Sequence, residues 1–312
     1  MSFSRLLAFS LLAITPFHFP PALAQSSVQT TGYLTVPSAS LYYETYGTGP
    51  LLLFISGANG DADIWRPVAK LLAANYTVAI YDRRGFSRSY LSPTAVQNYT
   101  LRLETDATDA KQLLDHLSPG TPATVLGTSS GALVAMQLLL MYPAALKTLI
   151  PHEPPALTIL PDVAALVAGQ RDVYAVYRAL GIPAALLKFL TLYDPSASFN
   201  PGTDSVSGFS IDARESPFVS GNLQYWFERE VLQYPLKEWD LDALGAGGRK
   251  EKLVLACGST TSAEGAQYRS NVVMAERFGL NVTLLEGSHV GYAGDTMVGW
   301  ARDLVGVLAG RR

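Results

Sequence analysis

The sequence predicts an α/β protein built on a mainly parallel sheet with helices on both faces. Three observations lead there: short apolar runs of strand length recur along the chain, helical stretches separate them, and the chain is long and apolar enough to cover such a sheet on both sides. Of the 312 residues, 48% are hydrophobic and 16% charged. A chain of about 300 residues buries roughly 75% of the surface its unfolded form exposes. Disorder is thereby excluded over most of the length. The 23 basic and 26 acidic side chains leave a formal charge of −3, with no basic cluster, which argues against nucleic acid as a partner. The single cysteine, Cys257, excludes an internal disulfide and a cysteine-based zinc site.

The elements follow in order. Arg5, the apolar run Leu6–Ile14, prolines 16, 20 and 21, and the small residues Ala22-Leu23-Ala24 form the pattern of a secretory signal peptide over residues 1–24, cleaved after Ala24. The apolar run is well short of the ~20 residues that a spanning helix needs, and no later stretch is apolar enough either, so stable membrane insertion is not expected. A secreted protein is the expectation. Sequons at Asn75, Asn98 and Asn281 suit a glycoprotein if the host glycosylates. Gly32–Pro37 and Leu41–Tyr46 read as a hairpin, and Leu51–Ser56 as a buried strand. A helix over 64–74, a strand over 76–81, a helix over 100–116 and a strand over 123–127 come next. An apolar helix over 131–141 and a strand over 146–151 complete the first half. After a helical insertion, the pattern resumes with strands over 252–257 and 282–285, a helix over 263–278 between them, and a last helix from about Ala293. The insertion, residues 155–235, is rich in Ala, Leu and aromatics and holds a Gly/Ser/Pro-rich stretch from Asp194 to Phe209. It reads as a helical cap on a core made of residues 25–154 and 236–312.

The chemistry centres on Gly127-Thr128-Ser129-Ser130-Gly131, placed where a buried strand ends and an apolar helix begins. A nucleophile on so sharp a turn needs small neighbours to avoid clashes, and the turn leaves its Oγ exposed. The helix N-terminus favours negative charge, and the Ser130 amide can point at a developing oxyanion. Ser129 has the right spacing to both glycines; Ser130 does not. The base is found by elimination among four histidines. His18 leaves with the signal peptide, and His116 sits at a helix C-terminus, where a cation is favourable without any function. His152 reads as a packed core residue or a partner of its neighbour, ahead of a pocket residue. His289 follows the last strand on a loop, at the same sheet edge as Ser129. No H-E-x-x-H or other paired metal-ligand spacing and no Gly-rich phosphate loop is present, so no metal or cofactor is implied.

With these residues in place, the chain resembles the α/β-hydrolase fold family from about Gly32 to the C-terminus, with a mostly parallel eight-stranded sheet and a helical cap after the sixth strand. Ser129 matches the nucleophile elbow and His289 the late histidine of that family's Ser…acid…His order. Ser56-Gly57-Ala58-Asn59-Gly60 stands where the family has His-Gly-x-x-Gly, so the resemblance implies that the Ala58 amide lends the second oxyanion donor. Residues 82–89 look like the family's D-x-R-G-x-G-x-S turn. Ser56 replaces the usual histidine and Ser87 the second glycine; Asp82 is expected to be structural. The acid is left between two positions. Most relatives carry it after the seventh strand, three residues beyond a glycine, but that place holds Thr261, with Glu264 close behind. Some, including haloalkane dehalogenases, carry it after the sixth strand, where His152-Glu153-Pro154-Pro155 puts Glu153 and resembles a branch of poorly characterised hydrolases.

The reading is therefore a cofactor-free serine hydrolase acting on a small or medium apolar ester or lactone, with Ser129, His289 and Glu153 as its trio. A serine nucleophile argues against dehalogenase or epoxide-hydrolase chemistry. Trp226, Tyr225 and Trp65 are candidates to line the substrate pocket. The alternative is a non-catalytic ligand-binding protein, or one that assists a cyclisation, on the same fold.

Overall fold

The chain opens on the antiparallel hairpin of β1 (Val28–Val36) and β2 (Ala39–Tyr46). Then come β3 (Leu51–Ile55), α1 (Arg66–Leu72), β4 (Thr77–Tyr81), β5 (Tyr90–Leu91), α2 (Arg102–Leu117), β6 (Ala123–Thr128), α3 (Ser130–Met141) and β7 (Leu146–His152). Three helices of the insertion follow: α4 (Val163–Leu180), α5 (Ile182–Tyr193) and α6 (Val219–Arg229), with a small hairpin of β8 (Ser205–Val206) and β9 (Phe209–Ser210) before the last of them. The chain closes with α7 (Leu241–Gly245), β10 (Leu255–Gly258), α8 (Ala266–Phe278), β11 (Val282–Leu285) and α9 (Met297–Ala309). This computed structural model describes residues 28–194, 205–206, 209–210 and 217–311. The expected signal peptide and most of the Asp194–Phe209 stretch lie outside the described residues.

The main sheet runs β1-β2-β4-β3-β6-β7-β10-β11. β2 is antiparallel to both its neighbours, and every pairing from β4 to β11 is parallel. These are the eight expected strands. β5, which pairs with β2, is an addition that two residues are too few to announce by periodicity. The helix expected over 64–74 begins as a 3-10 turn and becomes α1 at Arg66, with a proline in its first turn, where the missing N–H costs nothing.

The inner parallel strands β3, β4 and β6 are buried along almost their whole length because both faces of the sheet are covered there. In β3, Leu51, Leu53 and Ile55 enter the core beneath α2 and α3, while Leu52 and Phe54 enter the opposite core beneath α1 and α9. β4 divides the same way, with Ala79 and Tyr81 on one side and Val78 and Ile80 on the other. A third core belongs to the cap: Leu166, Leu186, Leu223 and Phe227 close around Ala58 and Phe86 of the main domain.

The cap is fastened to the sheet by buried charge. Arg83, after β4, is fully buried and reaches Asp106 of α2 at 3.0 Å and Glu230, after α6, at 2.8 Å. Its other terminal nitrogen donates to Gly57 O at 2.7 Å. Arg102 adds bonds to Asp106 at 3.1 Å and Glu230 at 3.5 Å, so two cations face two carboxylates. Such a set is poor evidence of net stabilisation, but breaking it strands a charge without solvent. Arg83→Met is therefore expected to lower unfolding free energy by about 3–5 kcal/mol, measured by urea denaturation. A loss below about 1 kcal/mol would show that the network is not isolated from water.

Candidate active site

Ser129 stands between β6 and α3 with φ 54° and ψ −124°, a left-handed conformation that a non-glycine residue holds only when its surroundings impose it. Its amide donates to His152 O at 3.0 Å. The flanking glycines are needed for close approach. A Cβ on Gly127 would lie 2.1 Å from Gly131 O, and one on Gly131 would lie 2.3 Å from Ile55 O. The turn thus presents a half-buried hydroxyl at the head of a helix.

Glu153 comes one residue after β7 and is the second left-handed non-glycine of the site, at φ 49°. Its backbone amide donates to Ala256 O at 3.1 Å, in line with the pairing of His152 to Ala256. The carboxylate is fully buried and both oxygens are used: Oε1 accepts from Gly258 N at 2.7 Å, and Oε2 meets His289 Nδ1 at 2.5 Å. Burial by itself would raise this carboxyl's pKa; the hydrogen bond and charge of His289, with the Gly258 amide, outweigh it and bring the group down to about 2. Of the two acids that the sequence left open, Glu153 is the one bonded to His289. Glu264 is exposed on the turn before α8.

His152 is fully buried, with Nδ1 3.1 Å from Thr128 Oγ1, and its ring lies 6.1 Å from that of His289. Burial pulls its pKa down to about 4, so it is neutral at pH 7. Among the described residues His152, Glu153 and His289 are the three whose ligand atoms cluster within 4.8 Å. A metal there would have to break the bond between Glu153 and His289, because 2.5 Å leaves no room for an ion between them.

Facing Ser129, the 57–60 loop packs tightly: a Cβ on Gly57 would lie 3.0 Å from Ser129 Cβ. Ser56 braces the loop from behind, donating to Asp61 O at 2.5 Å and accepting from Trp65 Nε1 at 2.9 Å. The amides of Ala58 and Ser130 have no hydrogen-bond partner among the described residues, as befits donors reserved for a ligand. A cavity of about 210 Å³ opens on Ser129 and His289. Phe189, Leu190 and Tyr193 of α5 form one wall; Thr260, Thr261 and Gln267 form another. Among the described residues no hydrogen bond links Ser129 Oγ to His289, although both face this cavity.

The three aromatics expected on the pocket wall are placed elsewhere. Trp65 is a core residue, stacked between Phe54 at 4.5 Å and Tyr292 at 4.2 Å. Tyr225 turns to the base of the cap, edge-on to Phe86 at 5.0 Å, its hydroxyl bonded to Arg102. Trp226 is buried one layer back, against Phe189 at 5.1 Å, and its indole N–H reaches Ser130 Oγ at 3.3 Å. Their hydroxyl and indole groups find protein partners, which draws the rings off the cavity surface.

Residues 50–197 match a family described as alpha/beta hydrolase fold. The uncharacterized hydrolase YraK of Bacillus subtilis is 33% identical over 267 residues, spanning 84% of this chain and 90% of that protein. The chain belongs to the α/β-hydrolase fold family. A zearalenone hydrolase of Bionectria ochroleuca is 28% identical over 274 residues, spanning 85% of this chain and 93% of that protein. Among solved structures, a thermophilic esterase from Thermogutta terrifontis is similar with a TM-score of 0.66 at 18% identity, covering 90% of this chain and 99% of that one, which shows the α/β-hydrolase fold.

The lowered pKa of Glu153 has a measurable sign. Its folded-state pKa of about 2 lies below the ordinary 4.5, so the stability it contributes is complete above pH 4.5 and is lost as the pH falls towards 2. The difference in unfolding free energy between the native protein and Glu153→Gln is expected to be constant from neutrality to about pH 5 and to shrink below it. A difference that stays flat to pH 2.5, followed by urea unfolding at about half-unit pH steps, would mean that the carboxylate gains nothing from His289 on folding.

Proposed function

We propose that this hydrolase cleaves small or medium apolar carboxylic esters or lactones through an acyl-enzyme on Ser129. The observation that carries this reading is the 2.5 Å bond between Glu153 Oε2 and His289 Nδ1, on a histidine that shares its cavity with a serine at a strained elbow. Glu153 fixes the imidazole with its proton on Nδ1, which leaves Nε2 free to accept. Ser129 Oγ attacks the carbonyl carbon and gives its proton to His289 Nε2. The amides of Ala58 and Ser130 hold the oxyanion of the tetrahedral intermediate. His289 returns the proton to the departing alkoxide, which leaves as an alcohol or stays tethered if the substrate is a lactone. Water, deprotonated by the same histidine, then releases the acid and restores Ser129.

Residues 155–235 act in this account as the cap that closes the apolar wall of Phe189 and Leu190 over the acyl group. The signal-like residues 1–24 make the enzyme an exported one; no helix among the described residues is long and apolar enough to cross a membrane. All three sequon asparagines are exposed, consistent with use as glycosylation sites in a host that supplies the machinery.

The competing reading, a ligand-binding protein on the same fold, is favoured by one feature: Ser129 Oγ and His289 share no hydrogen bond among the described residues. Catalytic contacts of this kind often tighten only when substrate is bound. A fluorophosphonate probe separates the two readings, since it labels an activated serine. Ser129 is expected to be labelled, and Ser129→Ala to be neither labelled nor active. Glu153→Gln should lower kcat on p-nitrophenyl butyrate by about 10³–10⁴-fold, with Glu264→Gln within about twofold of native. Full activity in Glu153→Gln, or an unlabelled Ser129, contradicts the proposal.

A further inference from the structure

Two polar atoms in residues lining the catalytic cavity have no hydrogen-bond partner among the described residues. Gln267, in the first turn of α8, is only 5% exposed, yet its Oε1 is buried and unbonded. Thr261 Oγ1, on the loop after β10, is in the same condition. Both residues line the cavity that holds Ser129 and His289, and the two atoms, covered in this structure, meet a ligand there by a turn of the side chain. A buried acceptor left unpaired is costly. Gln170 of the cap is fully paired, accepting from Tyr193 OH at 2.8 Å and donating to Val231 O at 2.6 Å, whereas Gln137 Oε1 and Asn271 Oδ1, which like Gln267 Oε1 lack a partner among the described residues, do not line this cavity. Thr261 N bonds Gly258 O at 3.2 Å, which ties its loop to the end of β10.

We propose that Gln267 and Thr261 form a polar subsite for a hydroxyl group of the substrate, which is then a hydroxylated ester or lactone with an otherwise apolar body. The inference rests on the reading of this cavity as the hydrolytic site and narrows its substrate class. A hydroxyl both donates and accepts, so it can give a proton to Gln267 Oε1 and can pair with Thr261 Oγ1 in either role. A carbonyl has no proton to give to Gln267 Oε1. A carboxylate lacks a cation: the described lining residues include the Asp194 carboxylate and no Lys or Arg. Phe189 and Leu190 across the cavity suit the apolar remainder. Sites built to bond a hydroxyl discriminate strongly against analogues without one, because binding such an analogue leaves the buried polar groups unpaired.

The test uses p-nitrophenyl phenylpropanoate and its ortho-, meta- and para-hydroxy forms as substrates of the full chain. At least one hydroxylated ester is expected to exceed the parent in kcat/KM by about tenfold or more. Gln267→Leu, similar in volume, should reduce that ratio to about twofold or less, chiefly through KM. Thr261→Val, a smaller change, should reduce it in part, which keeps the test decisive if Gln267→Leu fails to fold. Ratios within twofold for every ester in the native enzyme, or a preference that survives both substitutions, overturns the subsite. If that happens while Ser129 is still labelled and the parent ester still turned over, the serine-hydrolase reading stands alone. If Ser129 is unlabelled and no ester is cleaved, that reading falls and takes the subsite with it.

Discussion

The hydrogen bond between Glu153 and His289 depends on the register of three parallel strands. Thr128 of β6 pairs with His152 of β7, and His152 pairs with Ala256 of β10. One residue past β6 and β7, the chain turns left-handed at Ser129 and at Glu153. Ser129 N is anchored to His152 O and Glu153 N to Ala256 O, so each strained residue is tied to the neighbouring strand. A slip of one residue in either pairing would reverse the facing of every side chain beyond it. With both faces packed, such a slip would set every shifted side chain into a space shaped for another, which close-packed cores do not tolerate. Core packing and active-site geometry are in this sense the same constraint, and the strain at the two left-handed residues, of order 1–3 kcal/mol each, is borne by it.

The cap is held to this frame beside the 57–60 loop. Ser87, where relatives of this fold family have a glycine, keeps φ 45° and uses its side chain and backbone to grip Asn222 of α6, at 2.8 and 3.0 Å. Asn222 also donates to Asp61 at 3.1 Å, and Asp61 sits at the end of the loop that Ser56 braces. Glu230 reaches Arg83, which bonds Gly57 O. The serine at position 87 thus trades the easier backbone of glycine for a contact that fixes the cap over the site.

Much of this was legible in the sequence, for reasons that differ by residue. The elbow was readable because its requirement is local: two glycines at fixed offsets from Ser129, between an apolar strand and an apolar helix. His289 was readable because only four histidines exist and the others had plainer roles; His116, for instance, is bonded to Tyr43 OH at 3.0 Å. The carboxylate that meets His289 was harder. Two strand ends offered one, and only the three-dimensional meeting of β7, β10 and the His289 loop shows that Glu153 is bonded to it. The pocket wall was the least legible. Helical periodicity marks an apolar face without saying what it faces, so Tyr225 and Trp226 of α6 and Phe189 and Tyr193 of α5 looked alike. Docking turned α5 to the cavity and α6 to the base of the cap. Gln267 carried no signal, since polar residues are ordinary at a helix start; Thr261 carried one, as the occupant of the place where most relatives have their acid.

The account stands on a covalent bond to Ser129 Oγ, and that bond can be seen directly. Mixing the enzyme with excess p-nitrophenyl butyrate, quenching in acid within the first turnover and mapping the peptides by mass gives the answer. A butyryl adduct on the peptide containing Ser129, formed in step with a burst of p-nitrophenol and absent in Ser129→Ala, is the predicted result. Steady turnover with Ser129 unmodified, or with the adduct on another side chain, would contradict it.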